Sequence, residues 1–374
     1  MAGIYIHIPF CKQKCTYCDF HFSTTFETYR LEMIESICFE IQGRKEYLQD
    51  KEINTIYFGG GTPSILLESE LKLVLNTIYL TFSVSLTAEI SIEANPDDIS
   101  SISLGIWKKN GINRLSIGLQ SFKQSDLDWM NRAHSVNESL SCVALAQEHG
   151  FENITVDLIY GLPELSMDEW SLHVNRVMEM GVPHLSAYCL TIEDKTALSN
   201  WVNKGKINPP NEDTQSDQFA KLLDIIEANG FEQYEISNFS KAGFESQHNS
   251  NYWKGEWYMG VGPSAHSFNG TSRSWNIANN RQYIKAFKEH SNYIETEQLS
   301  NIDQFNERIL IGLRTIYGVR LSELSKLKKI TKEFILALNG FKEKRWIKED
   351  NQVLTLTKEG KLRADYIASA LFLD

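Results

Sequence analysis

The chain has 374 residues, of which 42% are hydrophobic and 23% charged, and its formal net charge is −11. This length predicts two or three domains, or one large α/β domain with an appendage, and it allows an ample apolar core. The acidic balance disfavours a general nucleic-acid-binding surface, because such surfaces need basic patches that displace counterions.

The first half of the chain alternates short β-rich runs with longer amphipathic runs. The predicted strands, in chain order, are GIYIHIP, TIYFGG, EISIEAN, RLSIGLQ, ITVDLIYG and HLSAYCLT. The predicted helices between them are 26–48, 66–79, 101–109, 124–149 (with a break) and 167–180. Six strand–helix alternations predict a parallel sheet with right-handed crossovers. Because six units are fewer than the eight of a closed barrel, we expect an open, partial (β/α)6 barrel of the TIM type.

Residues with reactive or polar side chains follow the predicted strands. Three cysteines come after the first strand, GGGTP after the second and EANP after the third. Gln120 closes the fourth strand and Asp157 lies in the fifth. Parallel α/β folds bind ligands at the C-terminal ends of their strands, so these residues are expected to converge on one mouth.

The pattern changes after about residue 200. A helix near 214–229 precedes the aromatic-rich stretch HNSNYWKGEWYMGVGPSAHSF. Three helices from about residue 302, a two-stranded hairpin and a final helix then predict a C-terminal α+β accessory domain with a winged-helix-like tail. The tail is short of basic residues, so we expect it to pack on the barrel rather than bind DNA. The predicted division is a core at 1–235, an aromatic-rich linker region at 236–300 and the C-terminal domain at 301–374.

The three clustered cysteines are Cys11, Cys15 and Cys18, spaced C-x3-C-x2-C. Three thiolates at this spacing can hold three corners of an iron–sulfur cube and leave the fourth iron free for an outside molecule. Structural zinc prefers four ligands, so a zinc site would need His21 or a distant residue. A redox C-x2-C pair would leave Cys11 unexplained. The open cluster is favoured, and the other cysteines are predicted to be packed thiols: Cys38, Cys142 and Cys189.

The triad together with GGGTP resembles the radical SAM superfamily. Gly59, Gly60 and Gly61 allow the backbone to approach a ligand closely. The resemblance implies that the open iron of a 4Fe–4S cluster chelates the amino and carboxylate groups of S-adenosylmethionine (SAM). It also implies that one electron from the cluster cleaves SAM to methionine and a 5′-deoxyadenosyl radical.

Further motifs bring the resemblance to one family and cover essentially the whole chain. The motifs YIHIPFC, GGGTPS, SIEANP, GLQSF, DLIYGLP and GVGPSAHS are similar to those of the oxygen-independent coproporphyrinogen oxidase family. The SAM-binding residues that this resemblance implies are Tyr5, Gly60, Gly61, Thr62, Glu93, Gln120, Arg132 and Asp157. Glu93 and Asp157 lie among apolar strand residues, where a carboxylate without a function would be costly. Arg132 fits a surface ion pair equally well.

Two branches of that family differ next to the cysteines. The oxidase branch resembles C-x3-C-x2-C-x-C, whereas Phe20 stands at the position of the fourth cysteine. The oxidase branch is also expected to carry a longer N-terminal arm before its first strand, whereas this sequence reaches Cys11 almost at once. Both departures put the decarboxylase activity in doubt, and no catalytic residue is assigned.

HNSNYW resembles the hallmark of the other branch, the HemW-type haem chaperones. The implied haem-binding residues are His248, Asn249, Tyr252 and Trp253. A neutral imidazole is a natural axial ligand of haem iron, and neighbouring aromatic rings suit a flat porphyrin. The alternative is an aromatic-rich loop over a core, in which His248 is only hydrogen-bonded.

Four functions follow from these observations. The favoured one is a haem-binding chaperone that delivers haem, as cargo, to acceptor haemoproteins. The alternatives are oxidative decarboxylation of coproporphyrinogen III to protoporphyrinogen IX, another radical SAM reaction on a tetrapyrrole, and a winged-helix regulator with a cluster as sensor. The last is disfavoured by the acidic charge and the intact SAM motifs.

The compartment and partners are only broadly indicated. The sequence contains no run of about 18 apolar residues, the length that a membrane span needs. The N-terminus lacks the pattern of a signal peptide. We therefore expect a cytoplasmic protein with at most peripheral membrane contact, acting as a monomer or a homodimer.

Overall fold

The computed structural model describes residues 1–49 and 51–373. Its strands are β1 (Ala2–Ile8), β2 (Ile53–Gly60), β3 (Val84–Ala94), β4 (Arg114–Gln120), β5 (Asn153–Tyr160), β6 (His184–Cys189), β7 (Glu232–Glu235), β8 (Asn238–Ser240), β9 (Trp257–Val261), β10 (His266–Phe268), β11 (Ser272–Asn276), β12 (Ile294–Gln298), β13 (Val319–Arg320), β14 (Ile347–Asp350) and β15 (Val353–Leu356).

Its helices are α1 (Arg30–Gly43), α2 (Glu68–Thr81), α3 (Ser101–Lys109), α4 (Gln124–Trp129), α5 (Val136–Glu148), α6 (Met167–Glu179), α7 (Ala197–Asn203), α8 (Glu212–Ala228), α9 (Gln247–Lys254), α10 (Asn280–Glu289), α11 (Asn301–Leu313), α12 (Leu321–Leu327), α13 (Lys332–Glu343), α14 (Lys358–Lys361) and α15 (Ala364–Ser369).

The six strands predicted for the first half form the centre of the main sheet. Strands β1 to β6 lie side by side in chain order, and every neighbouring pair is parallel. Their connections run through α1, α2, α3, the α4–α5 pair and α6, as the sequence predicted. The apolar residues of β1 are buried on both faces, which is the pattern of a parallel strand covered by helices. The predicted partial (β/α)6 barrel is confirmed.

Helices that flank the barrel begin at side-chain caps. Ser135 and Glu138 form a reciprocal capping box at the start of α5, and Ser166 and Glu169 form another at the start of α6. Each box satisfies backbone N–H groups that the first helical turn leaves free. The predicted break within 124–149 is real, since α4 and α5 are separate helices.

The segment 236–300, predicted as a linker region, is part of the main sheet. Strand β9 pairs parallel to β1, and β10, β11 and β12 extend the sheet beyond it. The fully buried Glu40 carboxylate on α1 accepts hydrogen bonds from Tyr283 Oη (2.5 Å), Asn276 Nδ2 (2.8 Å) and the Gly262 N–H (2.9 Å). Buried hydrogen bonds to a charged group bind this segment firmly to the barrel.

The C-terminal residues form a second hydrophobic core. The core includes Phe305 on α11 and Phe334 on α13, packed over an antiparallel sheet of order β13-β15-β14. Lys361 Nζ donates to Gln233 Oε1 at 2.7 Å, and the Ile316 N–H donates to the Tyr234 carbonyl at 3.1 Å. The C-terminal domain therefore packs on the barrel as expected, and the predicted hairpin, β14–β15, carries a third short strand, β13.

The final predicted helix is divided into α14 and α15, with Leu362 and Arg363 between them. Among the residues that the structure describes, no helix has the length and apolar character needed to cross a membrane.

Candidate functional site

One cavity of about 430 Å³ lies where the barrel strands end. Its wall contains the three clustered cysteines and seven of the eight residues expected to bind SAM. These seven are Gly60, Gly61, Thr62, Glu93, Gln120, Arg132 and Asp157. The eighth, Tyr5, lies one layer away from the cavity, where a Cβ on Gly59 would come within 2.9 Å of its ring.

Hydrogen bonds hold the cysteine loop (residues 9–23) against the barrel. The Cys11 N–H donates to the Ser23 carbonyl at 3.1 Å and closes the loop on itself. The Thr16 N–H donates to the Met130 carbonyl, also at 3.1 Å, and so fastens the loop to the end of α4. Residues that bind a rigid cofactor need such support, because loops are otherwise mobile.

Polar groups lie beside two of the cysteine sulfurs. Thr62 Oγ1 donates to Cys11 Sγ at 3.3 Å, and the backbone of Phe20 acts to lower the pKa of the Cys18 thiol. Burial nevertheless raises the pKa of Cys11 to about 12 and that of Cys18 to about 11. Buried thiols of this kind lose their protons when a metal centre offsets the cost of burying the charge.

The third sulfur faces a guanidinium group. Arg132 Nη1 lies 3.5 Å from Cys15 Sγ. Arg132 Nη2 donates to Asn95 Oδ1 at 2.6 Å and to the Gly118 carbonyl at 2.9 Å. Its Nε atom is buried and has no hydrogen-bond partner among the residues that the structure describes. Arg132 is thus part of the cavity wall.

This donor set fits an iron–sulfur cluster. The three thiols border a cavity large enough for a cluster of several atoms. Because thiolates are the usual ligands of iron–sulfur clusters, the arrangement fits a cluster with one iron free of protein ligands.

The glycine-rich turn brings backbone against the cysteine loop. The Gly61 N–H donates to the Ile8 carbonyl at 2.9 Å, and the Thr62 N–H donates to the Phe10 carbonyl at 2.7 Å. A Cβ on Gly61 would lie 2.6 Å from the Phe10 carbonyl oxygen. Gly60 has a φ of 103°, a conformation that glycine alone adopts without strain. Glycine is therefore required at both positions by geometry.

Glu93, on β3, lines the cavity and is hydrogen-bonded to two residues of β2. Its carboxylate accepts hydrogen bonds from Tyr57 Oη at 2.9 Å and from the Gly60 N–H at 3.1 Å. Burial raises the Glu93 pKa to about 7, and the charge of Asp157 adds to the increase. Glu93 can therefore donate or accept a hydrogen bond near neutral pH.

Asp157 and Gln120 lie on neighbouring strands. Ser116 Oγ donates to Asp157 Oδ2 at 3.2 Å, and burial raises the Asp157 pKa to about 6. Gln120 ends β4 with a φ of 66°, an uncommon conformation for a residue other than glycine. Strained backbone of this kind often occurs at binding sites, where the surrounding structure imposes it.

The HNSNYW motif lies on α9, away from the cavity wall. His248 is buried, and both of its ring nitrogens are engaged: Nδ1 lies 2.8 Å from Thr55 Oγ1, and Nε2 lies 2.8 Å from Tyr252 Oη. The buried carboxylate of Glu89 accepts the His248 N–H at 3.0 Å. In this conformation His248 has no free nitrogen for iron.

Tyr57 connects His248 with the cavity. The Tyr57 ring stacks on the His248 ring with centroids 5.1 Å apart, and its hydroxyl bonds to Glu93. Thr55, Tyr57 and Gly59 alternate along β2 and so share one face of the strand. The haem motif and the cavity thus lie at successive levels on the same face of the sheet.

The other residues of the motif are partly buried at the junction with the C-terminal domain. The Asn249 N–H donates to Ser246 Oγ at 3.3 Å, and Ser246 thereby caps the start of α9. The Tyr252 ring meets the Tyr258 ring edge to face at 4.5 Å, and the Arg314 guanidinium lies 5.7 Å from the centre of the Trp253 ring. Helix α9 therefore contacts both domains.

Several cavity residues were not predicted from the sequence. They are Tyr17, Ser116, Tyr188 and Cys189. Cys189, predicted as a packed thiol, packs against the apolar core and also lines the cavity. Tyr17 stands between two clustered cysteines, and Tyr188 and Cys189 end β6, so the rule applied to the earlier strands could have identified them.

Known proteins related to this chain match it along its length. The family described as the Radical SAM superfamily matches residues 5–177. Heme chaperone HemW of Bacillus subtilis (strain 168) is 33% identical over 374 residues, which cover 99% of this chain and 99% of the relative. Heme chaperone HemW of Lactococcus lactis subsp. lactis (strain IL1403) is 32% identical over 372 residues, or 99% and 97% of the two chains. The chain belongs to the HemW family of radical SAM proteins.

A solved structure agrees with the fold of this HemW family member. Coproporphyrinogen III oxidase (HemN) from Escherichia coli, a radical SAM enzyme, superposes with a TM-score of 0.86 at 21% identity, covering 99% of this chain and 90% of the other. At this identity the likeness concerns the fold alone. Membership of the radical SAM superfamily implies a 4Fe–4S cluster and SAM as cofactors.

Proposed function

We propose that this protein is a haem-binding chaperone that delivers haem to acceptor haemoproteins from a radical SAM scaffold. The observation that carries the proposal is the full-length relationship to proteins named Heme chaperone HemW, at 33% identity over 99% of the chain. Phe20, in place of the fourth cysteine of the oxidase branch, agrees with it. We further propose a cytoplasmic location.

We propose Cys11, Cys15 and Cys18 as the ligands of a 4Fe–4S cluster. When bound, the cluster supplies the electron that radical SAM proteins use to cleave SAM. The proposed SAM-binding residues are Tyr5, Gly60, Gly61, Thr62, Glu93, Gln120, Arg132 and Asp157. The two carboxyl groups, whose pKa values are raised to about 7 and about 6, are suited to hydrogen-bond ribose hydroxyls or an amino group.

We propose that haem binds through the α9 motif, with His248 as the iron ligand and Asn249, Tyr252 and Trp253 around it. Coordination requires α9 to move, because the bonds to Thr55 and Tyr252 occupy both ring nitrogens. Burial also lowers the His248 pKa to about 3, so the imidazole is neutral while α9 is packed against the barrel. The Arg314 contact with Trp253 makes the C-terminal domain a candidate to control this movement.

The test is anaerobic reconstitution of the cluster followed by haem titration of the wild type and His248→Ala. His184→Ala is the matched control, since His184 is equally buried and bonds to Tyr234 Oη at 2.8 Å. Both variants lose a buried hydrogen bond, but only His248→Ala should lose stoichiometric haem binding. Transfer of haem to an apo-haemoprotein is then followed by its absorption spectrum.

The oxidase alternative is assayed in the same preparation with coproporphyrinogen III and SAM. Decarboxylation with release of 5′-deoxyadenosine, without specific haem binding, would reject the chaperone proposal. SAM consumption only in the presence of haem would instead indicate a radical SAM reaction on the tetrapyrrole. Equal haem binding by wild type and His248→Ala would retain the chaperone and reject His248 as its ligand.

A further inference from the structure

We propose that Arg132 and Thr62 set the reduction potential of the cluster by donating hydrogen bonds to the sulfurs of Cys15 and Cys11. The inference rests on the proposed cluster ligation and is independent of haem. It assigns Arg132 an action on the cluster in addition to any contact with SAM. Both residues act through a cysteine, so they are positioning residues.

The charge of Arg132 points to an anionic partner in the cavity. Its Nη2 atom is held by two neutral acceptors, Asn95 Oδ1 and the Gly118 carbonyl, at 2.6 and 2.9 Å. None of the ion pairs found in residues 1–49 and 51–373 involves Arg132. A guanidinium placed away from bulk water without a counter-charge is costly. The Cys15 sulfur, 3.5 Å from Nη1, is the group that becomes anionic when it ligates iron.

Thr62 is held in place as firmly as Arg132. Its side chain is 5% exposed, and its backbone N–H is fixed on the Phe10 carbonyl at 2.7 Å. The hydroxyl therefore reaches Cys11 Sγ at 3.3 Å from a rigid turn. Cys11 and Cys15 thus each have one side-chain donor, and both donors can be altered by substitution.

The direction of the effect follows from charge. Reduction adds one electron to the cluster and increases the negative charge on its thiolate ligands. A donor hydrogen bond or a nearby cation stabilises the reduced state more than the oxidised state, and so raises the potential. Removing either donor should lower the potential, and the loss of a full charge should have the larger effect.

The experiment is a redox titration of the full, anaerobically reconstituted protein without SAM or haem, monitored by electron paramagnetic resonance. At a fixed solution potential, Arg132→Gln should lower the ratio of reduced to oxidised cluster about tenfold, which is about 59 mV for one electron. Thr62→Val should lower it about threefold. Arg132→Lys and Thr62→Ser should stay within about twofold of the wild type, since Lys retains the positive charge and Ser retains the hydroxyl donor. Thr191→Val is the control, because Thr191 lines the cavity without bonding to a sulfur.

Other outcomes overturn the inference in distinguishable ways. An unchanged potential in Arg132→Gln together with weaker SAM binding would make Arg132 a SAM ligand only. If Arg132→Gln assembles no cluster, the Thr62→Val and Thr62→Ser pair decides, and equal potentials in that pair reject the inference. A wild-type protein that binds no iron after reconstitution would instead reject the proposed cluster itself.

Discussion

Replacing Thr55 by Val should strengthen haem binding if His248 is the iron ligand. The Thr55 side chain is fully buried, and its Oγ1 lies 2.8 Å from His248 Nδ1. Valine is close to threonine in size, so the substitution removes the hydrogen bond. It leaves His248 Nδ1 unpaired as long as α9 stays packed against the barrel, which we call the docked state. The undocked imidazole meets water and carries no such penalty. The substitution therefore favours undocking.

The size of the effect follows from the lost bond. A buried polar atom without a partner costs about 1 to 2 kcal/mol, so the ratio of undocked to docked α9 rises about 5- to 30-fold. When the binding-competent state is rare, the apparent Kd for haem falls by the same factor. The measurement is a haem titration in the Soret band, with hydrogen exchange of α9 amides as an independent measure of undocking.

Two controls separate undocking from general destabilisation. Thr77→Val alters another buried threonine, on α2, and should leave haem affinity unchanged. The double variant Thr55→Val with His248→Ala should bind haem no better than His248→Ala alone. Faster α9 exchange in Thr55→Val without tighter haem binding would refute the reasoning, because the freed imidazole would then not be the ligand.

Three further predictions concern the cavity. Cys11→Ser should abolish the iron content and visible absorption of the reconstituted protein, whereas Cys189→Ser should retain both; equal iron in the two would exclude Cys11 as a ligand. Gly61→Ala places a Cβ 2.6 Å from a carbonyl oxygen and should destabilise the protein by about 1–3 kcal/mol in denaturant melts, whereas Gly105→Ala meets no atom within 4 Å in α3 and should stabilise it by about 0.5–1 kcal/mol. Burial raises the Glu93 pKa from 4.5 to about 7, so its contribution to the stability of the cofactor-free protein is present below pH 4.5 and is lost as the pH rises through 7. Glu93→Gln should remove up to about 3 kcal/mol of this pH dependence between pH 5 and 8, and an unchanged slope would show that Glu93 is not the titrating group.

Local patterns were enough to predict the barrel and most of its mouth. Period-two and helical repeats located β1 to β6, and the rule that ligands bind at strand ends brought the cysteines, GGGTP and Asp157 together. These features depend on neighbours in the chain or on a regular topology. The prediction for 236–300 did not include the pairing of β9 with β1, because that partner lies about 250 positions earlier and leaves no mark in the local sequence.

The position of individual side chains depended on the folded structure. Arg132 meets Cys15 across 117 positions, and His248 meets Thr55 across 193. Sequence motifs identified Cys15, Arg132 and His248, but neither Thr55 nor these pairings. Cys-x3-Cys-x2-Cys predicts a cluster because three thiolates in one short loop are close whatever the rest of the chain does. Whether a histidine is free to bind iron, or an arginine faces a sulfur, depends on which distant strands pack together, and only the folded chain determines that.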